Sequence, residues 1–82
     1  MDKRLILYGT FGCHLCEEAL ALVRQAMTAS SGQLELAEID IAGDDDLEMR
    51  YAVRIPVLKR LDRDDELSWP FDLSMVLAYI RS

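Results

Sequence analysis

Two cysteines, Cys13 and Cys16, stand three positions apart in the stretch GTFGCHLCEEAL at residues 9–20, with His14 between them and Glu17 and Glu18 directly after. Such a pair can open and close a disulfide, supply half of a metal site, or simply be buried on a helix. Side chains three apart on a helix have Cβ atoms about 5–6 Å apart. A disulfide wants about 3.5–4.5 Å, within reach of a first cysteine with non-helical dihedrals at a helix start. Unpaired N–H groups and the dipole at that end also favour a thiolate, lowering its pKa from about 8.5. Glu17 and Glu18 oppose that shift by like charge, and His14 offsets them only when protonated. The expectation is a moderately activated Cys13 and a reducing pair. Zinc wants four ligands, and Cys13, Cys16 and His14 cannot surround an ion tetrahedrally from one turn. That leaves a metal bridged between two chains as the metal reading.

The elements that must position these thiols lie on either side of them. Residues 4–8 (RLILY) read as a short buried strand stopped by Gly9 and Gly12. From Cys13 to about Ala29, apolar residues recur at helical spacing at Leu15, Ala19, Leu20, Leu22, Val23, Ala26 and Met27, and SSG at residues 30–32 ends the run. Glu17 and Glu18 fall in the first turn, where they favour the helix dipole. Residues 34–41 (LELAEIDI) alternate apolar and acidic types and read as a strand with one face exposed. Asp44 or Asp45 then caps a helix with Leu47 and Tyr51 one turn apart. Residues 55–61 (IPVLKRL) read as a strand opened by Pro56, DRDDE as a turn, and residues 67–69 as the second strand of a hairpin. Asp72 caps a last helix with Leu73, Val76, Leu77 and Ile80 on one side.

Composition narrows the function classes. The chain has 82 residues, 51% hydrophobic and 29% charged, which fits one folded domain over residues 1–82. Fifteen acids against nine bases give a formal charge of −6, which argues against nucleic acid and against anionic membrane surfaces as partners. The N-terminal apolar run ends at Gly9, short of the roughly 7–15 residues of a secretory leader. No run approaches the roughly 20 residues of a membrane span. A cytoplasmic location is expected, where a Cys-x-x-Cys pair means redox or metal chemistry more often than a structural disulfide. The acidic run at residues 44–46 reads as a helix cap and not a calcium loop, because the later ligand spacing is missing.

Pro56 adds a second piece. It cannot donate to a ladder and so belongs at a strand's first residue or an edge. A cis Ile55–Pro56 bond would turn residue 55 toward the cysteines. Taken together, GCHLCEEA, RIPVL and WPFD, in this order and with these elements, resemble the small bacterial glutaredoxin-like domains of unknown function within the thioredoxin-fold superfamily. The resemblance implies an α/β thioredoxin fold in its short glutaredoxin-like form, β-α-β-α-β-β-α, with a four-stranded mixed sheet flanked by three helices. It implies a thiol–disulfide oxidoreductase in which Cys13 is the nucleophile and Cys16 the resolving thiol. Pro56 matches the cis-proline, and Ile55 would offer its backbone N–H and C=O to an extended substrate. His14 and Arg54 are the further candidates for substrate contact, Arg54 through an anionic group.

Departures from that family bear on the electron donor. Glutaredoxins usually carry Gly-Gly before the last helix, where glutathione's carboxylate approaches the backbone; here Pro70 and Phe71 stand there. Proline lacks an N–H, and Phe71 is positioned to fill the tripeptide's space or, with Trp69, to anchor the last helix. No bound cofactor is expected, and glutathione is a doubtful donor. The expected partners are a protein or small-molecule disulfide and a reductase, with the chain itself a monomer. Two rival readings remain: a non-catalytic binding or adaptor domain on the same fold, and a metal or iron–sulfur carrier using Cys13 from two chains.

Overall fold

Alternation along the first strand decides the layers. In the computed structural model, which describes residues 4–30 and 34–81, β1 (Arg4–Gly9) sends Leu5 and Leu7 to one face of the sheet, where both are buried. Ile6 and Tyr8 point to the other face, as the two-residue period of a strand requires. Helix α1 (His14–Ala29) covers the first face with Ala19, Val23 and Ala26, all fully buried, and α3 (Leu73–Arg81) joins it through Val76, Tyr79 and Ile80. These spacings of three and four residues give each helix a single apolar stripe. Helix α2 (Asp45–Tyr51) covers the second face, where Tyr51 stacks on Tyr8 with ring centroids 4.3 Å apart. Among the described residues no helix is long and apolar enough to cross a membrane.

The sheet has the order β2-β1-β3-β4, with β2 (Glu35–Asp40), β3 (Val57–Arg60) and β4 (Glu66–Ser68) completing it. β1 and β2 are parallel, joined by the α1 crossover, while β3 runs antiparallel to both β1 and β4. This is the four-stranded mixed sheet with three helices that the sequence pattern implies. The register places Tyr8 opposite Val57 and Val57 opposite Ser68. The end of β1, the start of β3 and the end of β4 therefore share one end of the sheet.

The element edges differ from expectation in instructive ways. Gly9 does not stop the first strand; it is its last residue, paired with Asp40. The third strand begins at Val57 and not at Ile55, because Pro56 has no N–H and the Ile55 N–H donates to Tyr51 O at 3.0 Å, closing the end of α2. β4 sits one residue earlier than expected, and the Trp69 N–H donates to Pro56 O at 3.0 Å just beyond the ladder. α1 ends at Ala29 with Ser30 as its C-cap: the Ser30 N–H donates to Ala26 O and Met27 O. Residues 31 and 32, expected to help end that helix, lie outside the described residues.

Candidate active site

The first thiol is placed by the way α1 begins. Cys13 is its N-cap, with φ −83° and ψ 108°, extended values outside the helical region. Its own N–H donates to Thr10 O at 3.3 Å, closing the turn that leads out of β1. Its carbonyl takes the Glu17 N–H at 3.2 Å, and its Sγ accepts the Cys16 N–H at 3.1 Å. A sulfur thus does the capping work usually given to a serine or aspartate oxygen. Extended dihedrals at residue 13 bring the two Cα atoms to 5.2 Å, and Cys13 and Cys16 are joined by a disulfide. Gly12 makes the approach with φ +80°, a conformation that glycine adopts without penalty.

Beside the disulfide lies an open groove of about 460 Å³ between α1 and β2. Leu7, Phe11 and Leu20 supply its apolar part, and Phe11 is 96% exposed, an aromatic ring standing on the cysteine loop. Glu17, Glu38 and Asp40 supply the polar part, and no lysine, arginine or histidine is among the described residues that line it. Asp40 Oδ1 accepts the Ala42 N–H at 2.8 Å, and Glu38 lies 3.7 Å from the Arg24 guanidinium. Of these residues Glu17 was expected beside the thiols, whereas Phe11, Glu38 and Asp40 were not singled out from sequence. Phe11 is one apolar residue in a polar loop, and Glu38 and Asp40 are distant in the chain, brought alongside only by the parallel β1–β2 register.

The other expected site residues are distributed around this pair. His14 opens α1 with its side chain largely in solvent, its ring nitrogens 3.9 Å from Glu17 Oε2 and from Glu18 Oε2. The Ile55–Pro56 peptide bond is cis, as is Trp69–Pro70, and Pro56 is fully buried. The sheet register carries Pro56 to the same end as the cysteine loop. Of the two backbone groups of Ile55 expected to face a substrate, the N–H is already engaged with Tyr51 O. Arg54 turns inward: its Nη2 donates to Glu66 Oε1 at 2.8 Å and Ser68 Oγ at 2.9 Å, and the guanidinium lies over the Tyr51 ring. Phe71 is buried in the main core with Trp69 packed edge-on against it, 5.0 Å between centroids, so it anchors α3 and does not stand in open space.

Electrostatics sharpen around the Arg54 cluster. The Tyr51 hydroxyl donates to Glu66 Oε2, and burial first, then this bond, pushes the Tyr51 pKa up to about 12. Burial alone would raise the Glu66 carboxyl, but the hydrogen bonds from Tyr51 and Arg54 and the charge of Arg54 outweigh it and hold it below its ordinary value. Among the described residues no group of three or more His, Cys, Asp or Glu is placed to hold a metal ion.

Comparison with known proteins agrees with this arrangement. The family profile of the glutaredoxin-like domain (DUF836) matches residues 4–81. The X-ray structure of target protein XcR50 from X. campestris is 35% identical, covers 94% of this chain and 95% of its own, and superposes with a TM-score of 0.78. The solution structure of Ne2328 from Nitrosomonas europaea is 38% identical over 96% of this chain and 92% of its own, with a TM-score of 0.74. Thioredoxin 1 from Thermosipho africanus, 16% identical over 95% of this chain and 90% of its own, shares the fold at a TM-score of 0.68. No curated protein gives a match. The chain belongs to the glutaredoxin-like domain family, on a thioredoxin fold, and its paired cysteines are compatible with redox chemistry.

Proposed function

We propose, from membership of this family and from the geometry at the start of α1, that the chain is a thiol–disulfide oxidoreductase working through both cysteines. The observation that carries this reading is the Cys13–Cys16 disulfide at the rim of an open groove, with Cys13 Sγ already accepting a backbone N–H. In the reduced protein that N–H and the start of α1 stabilise negative charge on Cys13 more than on Cys16. The Cys13 thiolate attacks one sulfur of a substrate disulfide, a mixed disulfide forms, and the other substrate sulfur leaves as a thiolate. Cys16, deprotonated in its turn, attacks Cys13 Sγ, closes the protein disulfide and releases the second substrate thiol. Two electrons pass from the protein to the substrate, and an external dithiol or glutathione system restores the reduced pair.

Substrate contact is assigned to the sheet end that holds Pro56 and the Ile55 carbonyl, with His14 at the rim. Arg54 contributes by holding that segment, through Glu66 and Ser68, and not through a free guanidinium. The acidic wall of Glu17, Glu38 and Asp40 disfavours anionic glutathione and suits a disulfide flanked by basic residues. The test is disulfide reduction by the reduced chain. Wild type should turn over a peptide disulfide, and Cys13→Ser should lose at least about a hundredfold, as expected on losing an activated nucleophile. A Cys13→Ser chain with full reductase activity contradicts the assignment. No turnover by wild type on several disulfides would favour the adaptor reading.

A further inference from the structure

Gly9 is the last residue of β1 and pairs with Asp40, and its φ lies outside the left-handed region that Gly12 and Gly43 adopt. Its backbone conformation is open to any residue, so conformational freedom does not account for a glycine there. Space does. A Cβ at position 9 would lie 3.0 Å from Cys16 Sγ and 3.2 Å from Cys16 Cβ, inside the about 3.5–4.0 Å of a relaxed contact. At Gly12 and Gly43, by contrast, a Cβ would meet nothing within 4 Å.

We propose that Gly9 is a positioning residue for the resolving thiol: the missing side chain at the end of β1 forms the seat that Cys16 Sγ occupies when it is bonded to Cys13. The inference rests on the dithiol reading above and deepens it. In the disulfide, Cys16 Sγ is tied to Cys13, and Cys13 is itself fixed as the α1 cap by its bonds to Thr10 O and the Cys16 N–H. Neither sulfur can yield. In the dithiol, Cys16 Sγ is free to rotate about χ1 and turn from the strand. The Cys16 Cβ is carried by α1 in both states, so its share of the crowding largely cancels. A side chain at position 9 therefore penalises the closed form more than the open one, and the variant protein is easier to reduce. Gly9 thereby sets how readily the pair closes after each mixed disulfide.

The test compares full-length wild type, Gly9→Ala and Gly9→Ser, each equilibrated with graded ratios of reduced and oxidised glutathione, then alkylated and weighed intact. Closing the pair oxidises two thiols to one disulfide while one glutathione disulfide is reduced to two thiols. The closure constant should fall about tenfold in Gly9→Ala, the scale of modest overpacking, which is about 30 mV for a two-electron couple. Gly9→Ser should fall further. In a Cys16→Ala background, Gly9→Ala should leave the alkylation rate of Cys13 unchanged, which a general loss of structure would not. Where a variant is less stable in both states, the difference in thermal midpoint between its oxidised and reduced forms carries the same information. A wild type that closes reversibly, with the same constant in both variants, overturns the role of Gly9 and leaves the dithiol reading standing. A wild type that never closes overturns the dithiol reading, and this inference with it.

Discussion

Cys13 has two jobs in one atom, since its sulfur both caps α1 and carries the proposed nucleophile. The two can be separated in the reduced protein. Serine at position 13 keeps an acceptor for the Cys16 N–H, whereas alanine removes it and should cost about 1 kcal/mol of stability. Urea unfolding of reduced Cys13→Ser and Cys13→Ala should show that gap while neither variant reduces disulfides; equal stabilities would mean that the sulfur caps nothing. The spacing of the cysteines made their place at a helix start legible from sequence, because three residues is one turn and Gly12 precedes them. What Gly9 does was not legible. As a letter it reads as a strand breaker, and only the packing of α1 on β1 shows that its missing Cβ faces Cys16 Sγ. Nor could the sequence show that the Ile55 N–H closes α2.

At the scale of elements, α2 and the segment leading to Pro56 are tied to β4 by one polar cluster. Tyr51 and Arg54 both reach Glu66, and Arg54 also reaches Ser68. Glu66 is held below its ordinary value, against burial, by its bonds to Tyr51 and Arg54. The stability it adds is therefore present above the unfolded carboxylate value of about 4.3 and is lost as pH falls through its lower folded value. Tyr51 behaves oppositely: its contribution is complete below about 10 and is lost as pH rises through the folded value of about 12. Glu66→Gln should weaken the acid-side loss of stability and lower stability at neutral pH by about 1–3 kcal/mol. Tyr51→Phe should flatten the alkaline side. Denaturant unfolding across pH checks both, and an unchanged acid limb in Glu66→Gln would show that the cluster adds nothing. The order of strands and helices was legible, because periods of two and of three to four alternate cleanly along the chain. The cluster was not, since Arg54 and Glu66 meet only once β3 and β4 pair. The strand edge at Ile55 was misplaced because its N–H closes α2 instead of joining the sheet.

Over the whole molecule, the charge of −6 and the carboxylates lining the groove set the field that a substrate of the proposed reaction would meet. A disulfide peptide flanked by lysines should be reduced faster at low ionic strength, with the advantage shrinking several-fold as salt brings the Debye length from about 30 Å toward 10 Å or less. Oxidised glutathione, an anion, should show the reverse trend. Stopped-flow rates for the two at matched pH decide this, and a shared salt dependence would place the encounter away from the acidic wall. In the proposed function, fold, groove and charge serve one step, the transfer of a disulfide from substrate to protein through Cys13. The most direct measurement is capture of that step: a Cys16→Ser chain mixed with a disulfide peptide and weighed intact. A single stable adduct on Cys13, released only by added thiol, is the expected result. No adduct, or an equal adduct on a Cys13→Ser chain, would contradict it.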